Sequence, residues 1–534
     1  MTDFTLPTPA SQSALNPSAH HPVIVIGAGL AGLTAALLLA ERGLQPLLLE
    51  AAPRCGGRFA GLSPVTLTQN NQTWSFVAEH GIHGLWGQYH NLRSLLQRHD
   101  IMPDLVPARR EEWLHSSNGR IQRSEAGSSV RRSPIPAPLH YLALLVRPQF
   151  LAMLTWHDLI GLPRVAGSLY LALAYDPLCE PAPLDGRTLD ELFDRWPPRL
   201  RAFVSALMRS GLAAHPQDVP LGGFLAFMRF YTLLRRDAWE FDYLPADPGT
   251  CLITPMLARI AQHGGTIHTT TAATALEQTT DGWRVAWRSV NPADPGDLTA
   301  SAGTVAAQHL VVALDAPAAR TLFCDSTDTA PAAADLAWPQ GLSTGIVRLW
   351  FRVAPAHTAE SGICSGDFTI DNFFWLHRFQ PATTAWHQAT GGSLIEAHIY
   401  GPQELLDLPD ATLLARAITD IYRAYPELRG HLLQSNFQRN AATHTRFSIG
   451  ANSRYLGVDT PWPGISCCGD WLRYPHPALF LERACTTGMA AANRVLADLG
   501  REPFPIQPPR PPEAPAAAIE RGLRWVRQRA QRRP

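Results

Sequence analysis

Three glycines and a glutamate near the N-terminus have the spacing of a nucleotide-binding turn. Gly27, Gly29 and Gly32 follow an apolar run at residues 23–26 and open a second apolar run, and Glu50 closes the apolar stretch after that. Glycines so placed permit a tight turn and a close approach of the backbone to a pyrophosphate, and the helix N-terminus offers free N–H groups. An acid at the position of Glu50 can accept hydrogen bonds from a ribose. We therefore expect a dinucleotide to contact the residues of this turn: Gly27, Ala28, Gly29, Leu30, Ala31, Gly32, Glu50 and Ala51.

The next residues narrow the choice of dinucleotide. Gly56, Gly57 and Arg58 resemble the paired-glycine and arginine extension of the amine oxidase and carotenoid desaturase group of flavoproteins. In that group these residues line the diphosphate of FAD, and arginine suits phosphate because its planar guanidinium donates hydrogen bonds in pairs. The resemblance implies that the cofactor is FAD rather than NAD.

A distant segment at residues 465–500 carries the second part of this resemblance. Gly469 and Asp470 end an apolar run and precede a helix-like run that contains Gly488 and Met489. The resemblance implies that Asp470 lies near the ribityl and diphosphate groups, and that the backbone of Gly488 and Met489 faces the pyrimidine edge of the flavin. The positive end of a helix there would stabilise the negative charge that the flavin gains on reduction.

Longer stretches resemble one branch of the group more closely. Residues 79–101, 174–177, 184–193, 228–237 and 469–496 look like the carotene desaturase family, and most like isorenieratene-type synthases, which turn cyclic end groups of carotenes into aromatic rings. The resemblance covers nearly all of residues 22–500. It implies an α/β fold, with a Rossmann-like FAD domain on a central parallel sheet and an α+β substrate domain. It also implies desaturation of a carotenoid or related isoprenoid, coupled at a gem-dimethyl ring to a 1,2-methyl shift.

Two other functions stay open at this point. One is a different oxidase of the same superfamily, acting on a hydroxysqualene or an amine, and the other is a non-redox carotenoid isomerase or carrier with bound flavin. All 45 basic residues are arginine. Many amine-oxidising relatives place a lysine beside flavin N5, so its absence counts against amine oxidation without excluding it. For a desaturase we expect an electron acceptor such as a quinone or oxygen.

Composition excludes several other classes of protein. The chain has 534 residues, of which 46% are hydrophobic and 17% charged, and its formal net charge is zero. Such a chain can bury a large core in about two domains, and it lacks the basic excess of a nucleic-acid-binding protein. The eight cysteines show no CxxC spacing and the N-terminus does not resemble a signal peptide, so we expect reduced cysteines in a cytoplasmic protein.

The expected domains are discontinuous. Residues 1–20 are expected to be disordered, and the FAD domain is expected to combine residues 21–105, 249–320 and 456–500. The substrate domain would take residues 106–248 and 321–455, and residues 501–534 form a proline-rich linker and a basic amphipathic tail. Within the FAD domain, the resemblance implies that Ala273 contacts the adenine through its backbone.

Residues 79–83 contain the candidate acid–base groups. Glu79, His80 and His83 are assigned to the flavin environment, because the resemblance places His80 and Gly81 against the flavin. Histidine can accept a proton at neutral pH. A metal site on His80, His83 and His90 is the alternative, but the glycines between them disfavour a regular ligand-bearing helix and no further ligand cluster completes a shell. We therefore expect no metal.

Aromatic residues are the candidates for substrate contact. The faces of aromatic rings stabilise a carbocation without trapping it as a nucleophile would. The candidates are Trp86, Tyr89, Phe373, Phe374 and Trp375. Each of these rings is also a suitable core residue.

Two segments indicate contact with a membrane surface. Residues 139–178 are densely apolar, but charged residues and prolines interrupt every stretch before it reaches the length that spans a bilayer. They form either buried helices or helices that enter one leaflet and admit a lipid-soluble substrate. In the tail, a helix would place Ile519, Leu523, Val526 and Ala530 on one face and arginines around the rest. Such a helix could lie on an anionic membrane surface, and a frayed, solvated end is an equally good interpretation. We expect a cytoplasmic, peripherally membrane-associated protein.

Overall fold

The computed structural model describes residues 20–61, 63–179, 184, 186–291 and 301–531. Residues 1–19, which are part of the segment predicted to be disordered, lie outside the described residues. His20, the last residue of that segment, begins the first strand. The strands are, in chain order, β1 (His20–Ile26), β2 (Leu47–Leu49), β3 (Val65–Gln69), β4 (Gln72–Phe76), β5 (Gly84–Trp86), β6 (Val106–Pro107), β7 (Glu111–Ser117), β8 (Arg120–Glu125), β9 (Phe241–Tyr243), β10 (Thr266–His268), β11 (Thr271–Thr279), β12 (Gly282–Ser289), β13 (Ala302–Val312), β14 (Gln340–Phe351), β15 (Ser361–Gly366), β16 (Asn372–Trp375), β17 (Ser393–Ile399), β18 (Leu432–Arg446) and β19 (Ile465–Cys467).

The helices alternate with these strands and also fill the long stretch between β8 and β9. They are α1 (Leu30–Glu41), α2 (His90–Arg98), α3 (Gly127–Arg131), α4 (Leu142–Leu145), α5 (Pro148–Met153), α6 (Trp156–Ile160), α7 (Leu162–Ala174), α8 (Leu189–Phe193), α9 (Pro198–Leu212), α10 (Leu221–Met228), α11 (Thr254–Gln262), α12 (Ala316–Asp325), α13 (Ala330–Ala334), α14 (Pro381–Thr390), α15 (Gln403–Leu406), α16 (Asp410–Ala424), α17 (Phe480–Asp498) and α18 (Ala514–Gln531).

The first sheet is the predicted central parallel sheet. Its order is β10-β2-β1-β13-β12-β11, and β19 also pairs with β13. Strands β10, β2, β1, β13 and β19 run parallel, whereas β11 and β12 form an antiparallel extension. Helix α1 is buried on nearly every side because it lies between this sheet and α17, which explains why its sequence is apolar all round. The α/β fold class is confirmed.

The second sheet is mixed and is built from two distant parts of the chain. Its order is β18-β14-β17-β16-β15-β7-β8, and only β15 and β7 pair in parallel. One face packs on α16 in an apolar core of its own, and the other faces a smaller aromatic cluster that includes Tyr243 and Trp350. The sheet is therefore covered on both sides. The boundaries of the two domains stay a prediction.

The apolar stretch at residues 139–178 forms short helices, α4 to α7, and turns between them. Phe150 and Met153 point into a core, whereas Val146, Trp156 and Ile160 are 77, 63 and 67% exposed. The stretch is thus partly a core and partly an apolar surface. Within the part of the chain that the structure describes, no helix is long and apolar enough to cross a bilayer.

The C-terminal segment is packed on the body of the protein. The ring of Phe504 is buried beneath the guanidinium groups of Arg42 and Arg98. Helix α18 lies against α7 through the partly buried Ile519 and Leu523. Val526, which is predicted to share their face, is 47% exposed, and the side chain of Ala530 lies outside the described residues.

Candidate functional site

The glycine turn between β1 and α1 has one open position and two closed ones. A Cβ on Gly32 would overlap the carbonyl oxygen of Gly27, and a Cβ on Gly27 would lie 2.7 Å from the carbonyl oxygen of Ala313. Gly27 also has a φ of +98°, which side chains disfavour. A Cβ on Gly29 would meet nothing within 4 Å. Gly27 and Gly32 thus allow α1 to pack closely against the neighbouring strands, whereas Gly29 leaves a space where a phosphate can approach the backbone.

Glu50 lies at the end of β2 with its carboxylate against this turn. One oxygen accepts the N–H of Ala28 at 2.8 Å and the other accepts the N–H of Ala52 at 2.8 Å. Burial raises the pKa of the Glu50 carboxyl above its usual value. The Glu50 carbonyl accepts the N–H of Thr271 at 2.8 Å, so the start of β11, which contains Ala273, lies beside this corner. A ribose hydroxyl can replace a backbone donor on such a carboxylate.

The beginning and the end of the chain meet at an ion pair. Gly56 has a φ of +119° and donates its N–H to the Ala28 carbonyl at 2.7 Å. Arg58 follows in the same turn, and its guanidinium lies 2.6 Å from the carboxylate of Asp470. The structure therefore brings together the glycine turn, the paired glycines and the Gly469–Asp470 corner.

Helix α17 packs closely against α1 at Gly488. Gly488 lies more than two turns inside α17, where a Cβ would come within 2.5 Å of the Ala31 carbonyl oxygen, and Met489 is buried beside it. Gly488 is thus a helix-packing glycine. The expectation that the backbone of Gly488 and Met489 faces a flavin is wrong in its register, because the free N–H groups of this helix are at its start, around Phe480.

The acid–base candidates lie in one enclosed turn and differ in the direction in which their pKa values are shifted. Burial and the nearby Glu396 carboxylate raise the pKa of Glu79 well above its usual range, which favours the protonated acid. Burial and Arg58 lower the pKa of His80 to about 4, and burial and His80 lower that of His83 to about 3. Both imidazoles are therefore neutral at neutral pH and able to accept a proton, whereas Glu79 is poorly suited to that role.

A buried polar network in the second sheet holds this turn. Arg348 donates to the Glu79 carbonyl at 2.6 Å and to the Glu396 carboxylate at 2.7 Å. Gln438 also donates to the Glu79 carbonyl at 3.0 Å, and Asn440 donates to the His80 carbonyl at 2.9 Å. Arg348 and Glu396 are each only 1% exposed. Strands β14, β17 and β18 therefore position residues 79–81.

One further member of the network reaches the site itself. The ring of His398 is hydrogen-bonded to the Glu396 carboxylate at 2.8 Å and to the Tyr400 hydroxyl at 2.7 Å. A Cβ on Gly81 would lie 3.3 Å from Cε1 of His398, and the Gly81 φ of +131° also disfavours a side chain, so a glycine suits the close approach of the turn to that ring. None of these sheet residues belongs to the motifs that the sequence singled out. The signal that could have found Glu396 and His398 is their alternation with apolar residues in the run Leu394–Ile399, which Tyr400 follows.

The predicted aromatic set is divided between two faces. The half-buried Trp86 packs on Tyr231 and Phe241, and Phe374 is also half-buried, with its ring 5.3 Å from that of His398. Tyr89 is fully buried against Tyr231 and faces no open space.

The prediction for the other two rings is wrong. Trp375 and its neighbour Phe373 point to the opposite face, into the core against α16, because successive side chains alternate across strand β16. They cannot line a space that Phe374 lines.

The three histidines weighed as metal ligands do not converge. His90 begins α2 and is hydrogen-bonded to Gln88 at 3.1 Å, away from the turn that holds His80. Over the described ranges, no group of three or more histidine, cysteine, aspartate or glutamate side chains has the arrangement of a metal site.

Comparison with known proteins decides the family. The sequence model of the family "Flavin containing amine oxidoreductase" matches residues 30–496. The chain belongs to this family. It is therefore an FAD-dependent oxidoreductase, and the expected cofactor is confirmed.

Individual relatives and solved structures add to this assignment. The chain is 29% identical over 508 residues to a carotenoid phi-ring synthase of Streptomyces griseus, which covers 92% of this chain and 90% of that protein. It is 23% identical to the chloroplastic 15-cis-phytoene desaturase of Arabidopsis thaliana, over 78% of this chain and 68% of that one. A putrescine oxidase bound to putrescine has the same fold at a TM-score of 0.63 and 15% identity, over 90% of this chain and 99% of that one. Cyclohexylamine oxidase from Brevibacterium oxydans matches at a TM-score of 0.62 and 15% identity, over 90% of this chain and all of that one.

The described residues fit the cofactor of this family. The open space beside Gly29 suits a diphosphate, the Glu50 carboxylate suits a ribose, and the Arg58 guanidinium supplies a cation between them and Asp470. The start of α17 offers N–H groups without a side-chain cap. The diphosphate and the ribose of FAD thus each have a complementary group in this oxidoreductase.

Proposed function

We propose that this FAD-dependent oxidoreductase desaturates a carotenoid or a related isoprenoid, and that it aromatises a cyclic end group with a 1,2-methyl shift. The observation that carries the proposal is the similarity to a carotenoid phi-ring synthase over 92% of the chain. The similarity to phytoene desaturases and the absence of lysine support it.

In this proposal the cofactor is held by the residues of the glycine turn and its neighbours. The diphosphate lies beside Gly29, Gly57 and Arg58, the ribose contacts Glu50, and the adenine contacts the backbone at Ala273. When bound, FAD would accept a hydride, that is, two electrons and one proton, from the substrate. The protein supplies the orientation, the exclusion of water and the removal of a proton.

His80 is the proposed proton acceptor, with His83 as a second neutral imidazole behind it. The cation left on a polyene is a strong acid, so a neutral imidazole is a sufficient base. Trp86 and Phe374 would stabilise that cation at their ring faces. Because the pKa of His80 is lowered to about 4, the rate should be independent of pH from about 5 to 8. His80→Asn should slow product formation by about 10²- to 10⁴-fold, and His90→Asn serves as the matched control that leaves it unchanged.

The proposal extends to a membrane surface, where a carotenoid dissolves. The exposed apolar surface on α4 to α7 is the proposed contact, with Val146, Trp156 and Ile160 as its most exposed members. The double variant Trp156→Ser, Ile160→Ser should lose most co-sedimentation with phospholipid vesicles, whereas Val77→Ser, at a 42% exposed site elsewhere, should not. Unchanged sedimentation of the double variant would remove this part of the proposal.

Amine oxidation is the second candidate, favoured by the family model and by the solved amine oxidases of the same fold. Anaerobic titration separates the functions. Bleaching of the flavin by a carotene supports the proposal, bleaching only by amines supports the second candidate, and carotene binding without bleaching indicates a carrier or isomerase.

Expression in a carotene-producing bacterium identifies the product. Pigments that have lost pairs of hydrogens, or that carry an aromatic ring by mass and absorption, support desaturation. Unchanged pigment, equal to that of cells with the Gly29→Val variant, contradicts it. The electron acceptor, a quinone or oxygen, follows from which of the two restores the oxidised flavin.

A further inference from the structure

The turn into α17 has a strained backbone at the place where the helix offers its free N–H groups. Phe480 has a φ of +53°, a conformation that a bulky side chain rarely adopts, and Leu479 before it supplies no side-chain cap. The Phe480 ring stacks on His444 at 6.1 Å. Burial and the Arg58 guanidinium lower the pKa of His444, whereas the Asp470 carboxylate raises it, so this turn lies beside the ion pair of the cofactor site.

The Tyr231 hydroxyl bridges the peptide groups on both sides of Leu479. It accepts the Leu479 N–H at 3.0 Å and donates to the Leu479 carbonyl at 3.1 Å. The Tyr89 hydroxyl lies 3.2 Å away and can donate to the remaining lone pair of Tyr231. Tyr231 is completely buried, and its hydrogen-bonding capacity is fully used.

We propose that Tyr231 is a positioning residue for the flavin: its hydroxyl fixes the strained turn into α17 and so directs the free N–H groups of that helix at the cofactor. A strained residue persists only where its surroundings determine it, and Tyr231 supplies that restraint on both sides of Leu479. This inference rests on the proposed placement of FAD against the start of α17.

The position of Tyr231 is held in turn by the C-terminal segment. Tyr231 belongs to a buried π-helical turn, Arg229–Leu233, and such turns displace a side chain from regular helical register. Arg229 lies 2.6 Å from the carboxylate of Glu520 in α18, and both side chains are about nine-tenths buried. Arg229 also donates to the Ala172 carbonyl at 3.0 Å. Helix α18 is thereby connected to the start of α17 through two residues of one turn.

Tyr231→Phe removes the hydroxyl and keeps the ring, and Tyr141→Phe is the matched control. The Tyr141 hydroxyl contacts the same turn at the Thr232 carbonyl, at 3.2 Å, but does not touch α17. In the apoprotein, Tyr231→Phe should raise amide hydrogen exchange in residues 472–483 by about tenfold, the loss expected for one buried hydrogen bond. It should also raise the Kd for FAD about tenfold. Tyr141→Phe should leave both within about twofold.

The redox potential of bound FAD gives a readout that loss of packing alone would not move. The start of a helix favours the negative charge of the reduced flavin, so Tyr231→Phe should weaken the reduced form about tenfold more than the oxidised form. That factor lowers the midpoint potential by about 30 mV. The proposal would be overturned if Tyr231→Phe and Tyr141→Phe had the same amide exchange in residues 472–483 and the same midpoint potential. The exchange measurement needs no substrate, so its outcome is independent of whether carotenoids are the substrate.

Two further variants keep the test decisive if Tyr231→Phe does not fold. Tyr89→Phe removes only the hydroxyl that donates to Tyr231 and should raise exchange in residues 472–483 about threefold. Glu520→Gln should do the same through Arg229, whereas Arg521→Gln, on the exposed side of α18, should not. If neither Tyr89→Phe nor Glu520→Gln changes this exchange, the connection does not exist.

Discussion

Glu482 offers a pH-dependent test of how the start of α17 is packed. Its side chain is completely buried, and its carboxylate accepts the N–H groups of Asn91 at 2.8 Å and Leu92 at 3.0 Å, so it caps helix α2 from another element. Burial opposes ionisation more than these hydrogen bonds favour it, and the pKa of Glu482 is raised to about 7. The carboxyl is therefore half protonated near neutral pH.

The sign of the effect follows from the raised pKa. The unfolded chain ionises at the ordinary value of 4.5, so the stabilisation is fully present below pH 4.5 and is lost as the pH rises through 7. Between pH 5.5 and 8.5 the folded state should lose about 2 kcal/mol from this group. For a chain of this length unfolding as one unit, that is about 2 °C in Tm.

Glu482→Gln keeps the shape and cannot ionise, so it removes this contribution. Thermal unfolding of the FAD-saturated protein should show that the Tm of the natural protein falls relative to the variant by about 2 °C from pH 5.5 to 8.5. All other titrating groups are common to both proteins and cancel in the difference. A Tm difference that is constant across this range would refute the raised pKa. A natural protein that gains relative to the variant at high pH would show that the hydrogen bonds to α2 outweigh burial.

Two other predictions concern the glycine turn and the buried network. Gly32→Ala should prevent correct folding, because its Cβ would overlap the Gly27 carbonyl. Gly29→Ala should leave the Tm of the apoprotein unchanged and weaken FAD binding about 100-fold or more, because its Cβ would fill the space for the diphosphate. Calorimetry measures the Tm, and FAD titration measures the binding. Arg348→Met should destabilise the protein by about 3–5 kcal/mol in urea unfolding, because it leaves the Glu396 carboxylate buried without its cation, and adding Glu396→Gln should recover part of that loss. A double variant no more stable than Arg348→Met would count against the ion pair as the cause.

The sequence predicts those parts of the site whose geometry is local. The glycine turn, Glu50 and Arg58 lie within one strand–helix–strand unit, so their spacing nearly determines their arrangement. Thr188 and Glu191 of α8 likewise have the local spacing of a capping box, and both of its reciprocal hydrogen bonds are present. The predictions for Gly488 and Trp375 are wrong because each depends on where a distant element begins or which way it faces. One position along a strand reverses the face of every side chain, and sequence spacing does not report which face is covered.

The same reasoning explains why the residues that hold the turn at residues 79–81 escape motif analysis. The carbonyl groups of Glu79 and His80 are held by side chains from β14 and β18, which are more than 260 residues away along the chain. These side chains act only because the register of the second sheet brings Arg348 opposite Asn436 and beside Glu396, and a shift by one residue would place a charge in the apolar core against α16. A buried guanidinium is tolerated there because each of its hydrogen-bond partners among the described residues is an acceptor: a carboxylate, an amide oxygen and a backbone carbonyl. The second sheet therefore does more than supply an apolar core, since its polar side chains fix the turn on which the proposed proton acceptor lies.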